Sequence, residues 1–115
     1  MVHFAQPTVA LPVRDVAAAQ ADYRDKFGFT IGWHHEAGRI GAVSRGESTV
    51  FLRAVEADIQ PVELWIFSAE VDAACAELDA HGASCVEALS DRPWGLRQAT
   101  YQDLNGHLIH VFCDL

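Results

Sequence analysis

The feature that most constrains the fold is a repeat, because the second half of the chain follows the same order of elements as the first. Each half predicts strand, helix, strand, strand, strand, over residues 7–54 and then 62–113. The two helices also begin alike, with VAAA at Val16–Ala19 and VDAA at Val71–Ala74. A repeated supersecondary unit predicts two βαβββ modules in one α+β domain over residues 1–115. The alternative is a chance likeness between two alanine-rich helices.

The boundaries of the first half follow from its capping and turn residues. Asp15 is a predicted N-cap, since its carboxylate accepts free amides of the first turn, and Gly28 is a suitable end for a helix over Val16–Lys26. One helix face is apolar: Val16, Ala19, Tyr23 and Phe27. Turns at Gly38 and Gly46 separate the later strands. The predicted strands are Thr8–Val13, Phe29–His35, Arg39–Ser44 and Ser48–Ala54.

The second half begins after a polar linker, Val55–Pro61. A helix is predicted over Glu70–His81, closed by Gly82. The turn between the last two strands is Asp103–Gly106, whose Asn-Gly pair suits positive φ. The predicted strands are Val62–Ser68, Ala83–Ala88, Leu96–Gln102 and His107–Cys113.

Strand alternation predicts a concave, aromatic sheet surface. Because successive strand residues point to opposite faces, each strand has one aliphatic face for the helices and one aromatic or polar face. The aromatic or polar faces carry Trp65, Phe67, His110 and Phe112, joined by Phe51. Trp33 and His35 share one face of the second strand. Apolar area with a few polar groups is typical of a small-ligand cleft. The alternative is a second core or a protein interface.

Composition excludes several classes of function. The net charge of −8 and the absence of a basic stripe argue against nucleic-acid binding, and the negative charge favours cationic ligands. No apolar stretch is long enough to span a bilayer, and no signal peptide opens the chain. The chain has three cysteines, Cys75, Cys85 and Cys113. Their odd number and their spacing fit neither a zinc site nor a disulfide framework, so they are predicted to be buried free thiols. A cytoplasmic protein is expected.

Three motifs resemble the vicinal-oxygen-chelate superfamily of glyoxalases, extradiol dioxygenases and fosfomycin- and bleomycin-resistance proteins. They are Pro12–Ala17 followed by Tyr23 and Phe27–Phe29, then Leu64–Ile66, and then Pro93–Arg97 with Asp103–Phe112. The resemblance covers nearly the whole chain and is closest to bleomycin-resistance proteins, which share the Trp-Gly-x-Arg segment. It implies a homodimer, with or without a strand exchanged between protomers.

The resemblance also implies where a metal would bind. Metal-dependent members place ligands at the positions of Thr8, Phe51, Glu63 and His110 in this chain. Only the last two can coordinate a metal, and catalytic metals need at least three protein ligands. His3 and the His34–His35 pair do not complete the set, because neighbouring strand residues point to opposite faces. No cofactor is therefore predicted, with a divalent metal on Glu63 and His110 as the alternative.

The sequence favours a protein that sequesters a planar or cationic, antibiotic-like small molecule without a metal. The predicted ligand-binding residues are Trp33, His35, Phe51, Glu63, Trp65, Phe67, Trp94, His110 and Phe112. The alternatives are a metal-dependent lyase, isomerase or dioxygenase, and an interaction module without a ligand. Glu63 and His110 fit either a self-satisfied polar pair or general acid–base chemistry. Trp94 fits a lid or a loop anchor, and Arg97 fits an anion site or a salt bridge.

Overall fold

The computed structural model describes residues 1–115 as two consecutive modules. The first contains β1 (Val9–Val13), α1 (Val16–Phe27), β2 (Thr30–His35), β3 (Ile40–Arg45) and β4 (Ser48–Ala54). The second contains β5 (Glu63–Phe67), α2 (Val71–Ala80), β6 (Ser84–Asp91), β7 (Leu96–Gln102) and β8 (Leu108–Asp114). Neither helix is long and apolar enough to cross a membrane.

The two modules have the same sheet topology. The strand order is β1-β4-β3-β2 in the first sheet and β5-β8-β7-β6 in the second. In each sheet the first strand pairs in parallel with the fourth, so that Leu11 lies beside Leu52 and Trp65 beside His110. The remaining pairs are antiparallel. The predicted α+β repeat of two βαβββ modules is thus confirmed, and β1 pairs within its own chain.

Helix α1 is capped as its sequence predicts. The Asp15 carboxylate accepts a hydrogen bond from the Ala18 amide at 2.7 Å, and Gly28 ends the helix with φ of 69°. Its predicted apolar face is buried: Val16, Ala19, Tyr23 and Phe27. Gln20 is buried as well, because its side-chain amide donates to the carbonyl of Trp33 at 3.0 Å. This bond fastens α1 to β2.

Several local predictions are wrong. Strand β6 extends to Asp91 rather than Ala88, since Asp91 pairs with Arg97 across the hairpin and their side chains form an ion pair at 2.9 Å. The predicted turn at Gly38 is confirmed, but the next strand begins at Ile40 rather than Arg39, because Arg39 belongs to the turn and has a positive φ of 55°. Cys85 is exposed rather than buried, because it lies on the outermost strand.

One hydrophobic core spans both modules, with eighteen buried residues drawn from α1, α2, the inner strand faces and Phe29, which lies between α1 and β2. A buried polar cluster also joins the modules. Tyr23 donates to Asp103 at 2.6 Å, and burial beside this carboxylate raises the pKa of the tyrosine. His107 accepts from the Val62 amide at 2.9 Å and donates to the Pro12 carbonyl at 2.7 Å. The β7–β8 turn and His107 therefore fasten together β1, α1 and Val62, the residue that precedes β5.

Candidate functional site

The outer face of the second sheet, on the side away from α2, carries a cluster of aromatic rings. Trp65 stacks on the His110 ring, with centroids 4.1 Å apart and an interplanar angle of 25°. Phe112 meets Trp65 and Phe67 edge to face at 5.9 and 5.7 Å. Trp65 and Phe67 remain about half exposed. We call this set, Trp65, Phe67, His110 and Phe112, the aromatic face.

A hydrogen-bonded network lies within the aromatic face. His110 Nε2 is 2.6 Å from Glu63 Oε1, and His110 Nδ1 is 2.7 Å from Thr100 Oγ1. Because a carboxylate only accepts hydrogen bonds, Nε2 carries a proton and donates to Glu63. Thr100 and His110 are buried, whereas Glu63 is exposed. The network thus runs from the interior of the sheet to a carboxylate at the surface.

Trp94 lies at the tip of the β6–β7 hairpin and leans towards this face. Its indole nitrogen donates to Gln98 Oε1 at 2.9 Å, and Gln98 is buried beside Phe112 in the sheet register. The rest of the ring is exposed. Gly95, which directly follows Trp94, has a φ of 90° and so allows the tight turn between β6 and β7. Trp94 is therefore anchored at one edge while offering its ring to solvent.

The other predicted site residues lie on the first sheet. Trp33 packs against Phe51 with ring centroids 5.4 Å apart, and Trp33 is half exposed. His35 is occupied by the β2–β3 turn, where its Nδ1 accepts from the Gly38 amide at 2.8 Å. The predicted residues are thus divided between two sheets, and no aromatic contact joins the two groups within the chain.

A concavity of about 1020 Å³ reaches the edge of the aromatic face and includes Trp65 and Phe67 in its lining. It is a groove between the N-terminal segment, the β3–β4 hairpin and β5, lined by core side chains such as Phe29, Leu64 and Ile109. Its lining has two charged residues: Arg45 is already bound to the Phe27 carbonyl and to Glu77, and Glu47 is exposed on the β3–β4 hairpin. Since a ligand site needs polar groups that converge on the ligand, the aromatic face is the stronger candidate.

The positions at which the superfamily resemblance implies metal ligands do not fit a catalytic metal. Thr8 is exposed ahead of β1, and Phe51 packs on Trp33. Glu63 and His110 bond to each other, and no group of three or more histidine, cysteine, aspartate or glutamate side chains is arranged to hold a metal ion. This donor set falls short of the three protein ligands that a catalytic zinc site uses.

Sequence reasoning missed two residues of the site, Thr100 and Gln98. Both lie on the outer face of β7, where they pair with His110 and Phe112 of β8. The alternation of side chains along β7 could have identified them. Arg97, Ala99 and Tyr101 point towards α2, so Gln98 and Thr100 point to the opposite face, where the aromatic rings lie. Arg97 forms salt bridges with Asp72 and Asp91, which favours the salt-bridge interpretation of this residue over an anion site.

Known structures share this architecture over almost the whole chain. TioX from Micromonospora sp. ML1 has a TM-score of 0.85 at 26% identity, covering 97% of this chain and 100% of that one. The bleomycin resistance determinant encoded on transposon Tn5 has a TM-score of 0.84 at 21% identity, covering 96% and 98%. A glyoxalase/bleomycin resistance protein/dioxygenase from Nocardioides has a TM-score of 0.78 at 18% identity, covering 99% and 87%.

A comparison with curated protein sequences finds no significant match. The sequence profile of one family does match, over residues 2–111. This range covers the first module and the second as far as Val111, and it includes every candidate site residue except Phe112. The chain therefore belongs to the glyoxalase/bleomycin resistance protein/dioxygenase superfamily.

Proposed function

We propose that this protein binds and sequesters a planar or cationic small molecule, of the kind found among antibiotics, and releases it unchanged. The observation that carries the proposal is the aromatic face, where Trp65 and Phe67 are 51% and 55% exposed around a buried polar network. Exposed aromatic rings with few polar groups suit stacking on a flat ligand. Similarity to the Tn5 bleomycin resistance determinant supports the same function.

The proposal includes a homodimer, because one chain leaves two aromatic surfaces open. Trp33 is 48% exposed on the first sheet and Trp65 is 51% exposed on the second. A two-fold dimer that places the first sheet of one protomer against the second sheet of its partner forms two equivalent clefts. Each cleft then has an aromatic wall from each protomer. An exchanged N-terminal strand is compatible with this arrangement but is not required by it.

The proposed binding does not use a metal. Glu63 and His110 satisfy each other at 2.6 Å and leave the coordination set incomplete. The ligand is held instead by stacking, and the net charge of −8 favours a cation.

A second candidate function is an enzyme of the same superfamily, favoured by the Glu63–His110 pair. A carboxylate that is hydrogen-bonded to an imidazole is a common arrangement for acid–base catalysis. Thr100, at the other end of the network, is too buried to act as a nucleophile. An enzyme would therefore act through Glu63 or through a metal bound to the pair.

The test is a titration of chelator-treated protein with bleomycin and with planar cationic dyes, followed by calorimetry and tryptophan fluorescence. We expect saturable binding without added metal, and mass spectrometry should recover the compound unchanged. Binding that appears only with a divalent metal, or recovery of a transformed product, would favour the enzyme. Absence of binding to every compound would contradict sequestration of this class of ligand.

A further inference from the structure

We infer that Glu63 and Trp65 form a subsite for a protonated nitrogen at the edge of a planar ring. The inference rests on the proposed ligand-binding function and deepens it, because it makes the ligand both flat and cationic. Glu63 and Trp65 lie two residues apart on the same face of β5, which places them about 7 Å apart along the strand. A single ring system spans that distance.

The Glu63 carboxylate is held in place but not neutralised by arginine or lysine. Its hydrogen-bond partner is His110, through Oε1, and the Glu63 side chain is 58% exposed. The arginines of the second module are engaged elsewhere, Arg92 with Glu87 and Arg97 with Asp72 and Asp91. A carboxylate accepts several hydrogen bonds, so Oε2 remains available for a donor from outside the chain.

The rest of the network fixes the direction of this carboxylate. His110 uses both ring nitrogens, for Glu63 at 2.6 Å and for Thr100 at 2.7 Å. The Thr100 hydroxyl can donate to a neutral imidazole or accept from a protonated one, so the network holds in either state. Because the imidazole cannot rotate without losing a bond, Glu63 is aimed before the ligand arrives, which lowers the entropy cost of binding.

Trp65 supplies the flat surface beside the carboxylate. His110 covers one side of the indole at a centroid distance of 4.1 Å, and Trp65 is still 51% exposed. The open side is available for a ligand ring, and a positive charge on that ring is attracted to the indole π system. The same positive charge is attracted to Glu63, so the two contacts favour the same chemical class.

The test compares proflavine, a planar cation, with acridine, which has the same ring system and is uncharged at mildly alkaline pH. Equilibrium dialysis against the full-length protein measures both affinities. We expect the wild type to bind proflavine about tenfold more tightly than acridine, the value of one charge-assisted hydrogen bond. Glu63→Gln should remove most of this preference, leaving the smaller part that comes from the indole π system, and should leave acridine binding within about twofold of the wild type, since acridine is held by stacking.

Glu47→Gln is the matched control, because Glu47 is exposed on the β3–β4 hairpin and its side chain forms no ion pair. It should keep the proflavine preference. Equal binding of the two dyes by the wild type, or a preference that is undiminished in Glu63→Gln, would overturn the subsite while leaving the proposed function standing. Failure of the wild type to bind either dye would overturn both.

Discussion

The two modules share a topology and differ in what they place on the outer faces of their sheets. In the first, Trp33 and Phe51 form a pair backed by small residues such as Ala42. In the second, the aromatic face encloses the network of Glu63, His110 and Thr100. The inner faces, by contrast, pack into one shared core. The inner residues therefore maintain the repeat, whereas the outer residues distinguish the modules, since only the second carries a polar network among its aromatic rings.

Substitutions in the shared hydrophobic core should have the largest effect on stability. Leu52 of the first module and Ile109 of the second are both almost fully buried. Truncating either residue to alanine should lower the free energy of unfolding by about 2–5 kcal/mol, because it leaves a cavity. Urea unfolding, followed by circular dichroism and tryptophan fluorescence, should show a single transition for each variant. Two separate transitions, each shifted by only one substitution, would show that the modules are independent.

The polar cluster that joins the modules gives the next largest effect. His107 is fully buried and bonds to the Val62 amide and the Pro12 carbonyl. His107→Ala should cost about 2–4 kcal/mol in urea unfolding, since it removes two hydrogen bonds and leaves a cavity. His3→Ala is the control, because His3 is exposed, and it should leave stability unchanged. A cost as small as that of the control would mean that His107 does not connect the modules.

The helix N-termini sharpen the comparison, because only one of them has a side-chain cap. Asp15 accepts the Ala18 amide, whereas the Glu70 side chain caps nothing at the start of α2. Asp15→Ala should therefore cost about 1 kcal/mol and Glu70→Ala much less. Thermal unfolding of both variants measures the difference. Equal costs would contradict the assigned cap.

The smallest expected effect is that of an ion pair between the modules, Arg45 with Glu77. The side-chain hydrogen bond from Arg45 lowers the pKa of Glu77 below its usual 4.5. A carboxyl with a lowered folded-state pKa stabilises the protein above its unfolded pKa and loses this contribution as the pH falls through the folded value. Because both side chains are substantially exposed, Glu77→Gln should cost at most about 1 kcal/mol at neutral pH.

Urea unfolding at neutral pH and well below pH 4.5 checks this sign. The cost of Glu77→Gln should disappear at the lower pH, where the wild-type carboxyl is protonated as well. Glu47→Gln provides the exposed, unpaired control. A cost that persists at low pH would assign the stabilisation to packing rather than to charge.

The fold was predictable because its signals are local and repeated. Asp15 and Gly28 bound α1, and the apolar face of α1 is buried as its periodicity predicts. The end of β6 was not predictable, because Ser90 and Asp91 are typical of turns and extend the strand only through pairing with β7. Long-range partners of this kind are not visible in a strand's own sequence.

The site was predictable in part for the same reason. Alternation placed Trp65 and His110 on one face of their sheet, and the structure brings their rings into contact. It did not separate Phe51 and Trp33 from them, because which sheet a strand joins depends on the tertiary arrangement. Thr100 was missed because its role exists only through its register with His110.

We expect the two outer faces, which are separate in one chain, to form a single ligand site between two protomers. Trp33→Ala and Trp65→Ala test this most directly, with Leu104→Ala, an exposed residue in the β7–β8 turn, as the control. Each tryptophan variant alone damages every cleft of its homodimer. A heterodimer of the two variants, however, contains one intact cleft and one doubly altered cleft.

The measurement is the number of proflavine sites after equal amounts of the two variants are unfolded together and refolded. We expect almost no tight sites in either variant alone and about a quarter of the wild-type number in the mixture, since half of the dimers are heterodimers with one intact cleft of two. Full binding by either variant alone, or no recovery of sites in a mixture shown to contain heterodimers, would contradict a site shared between the two faces.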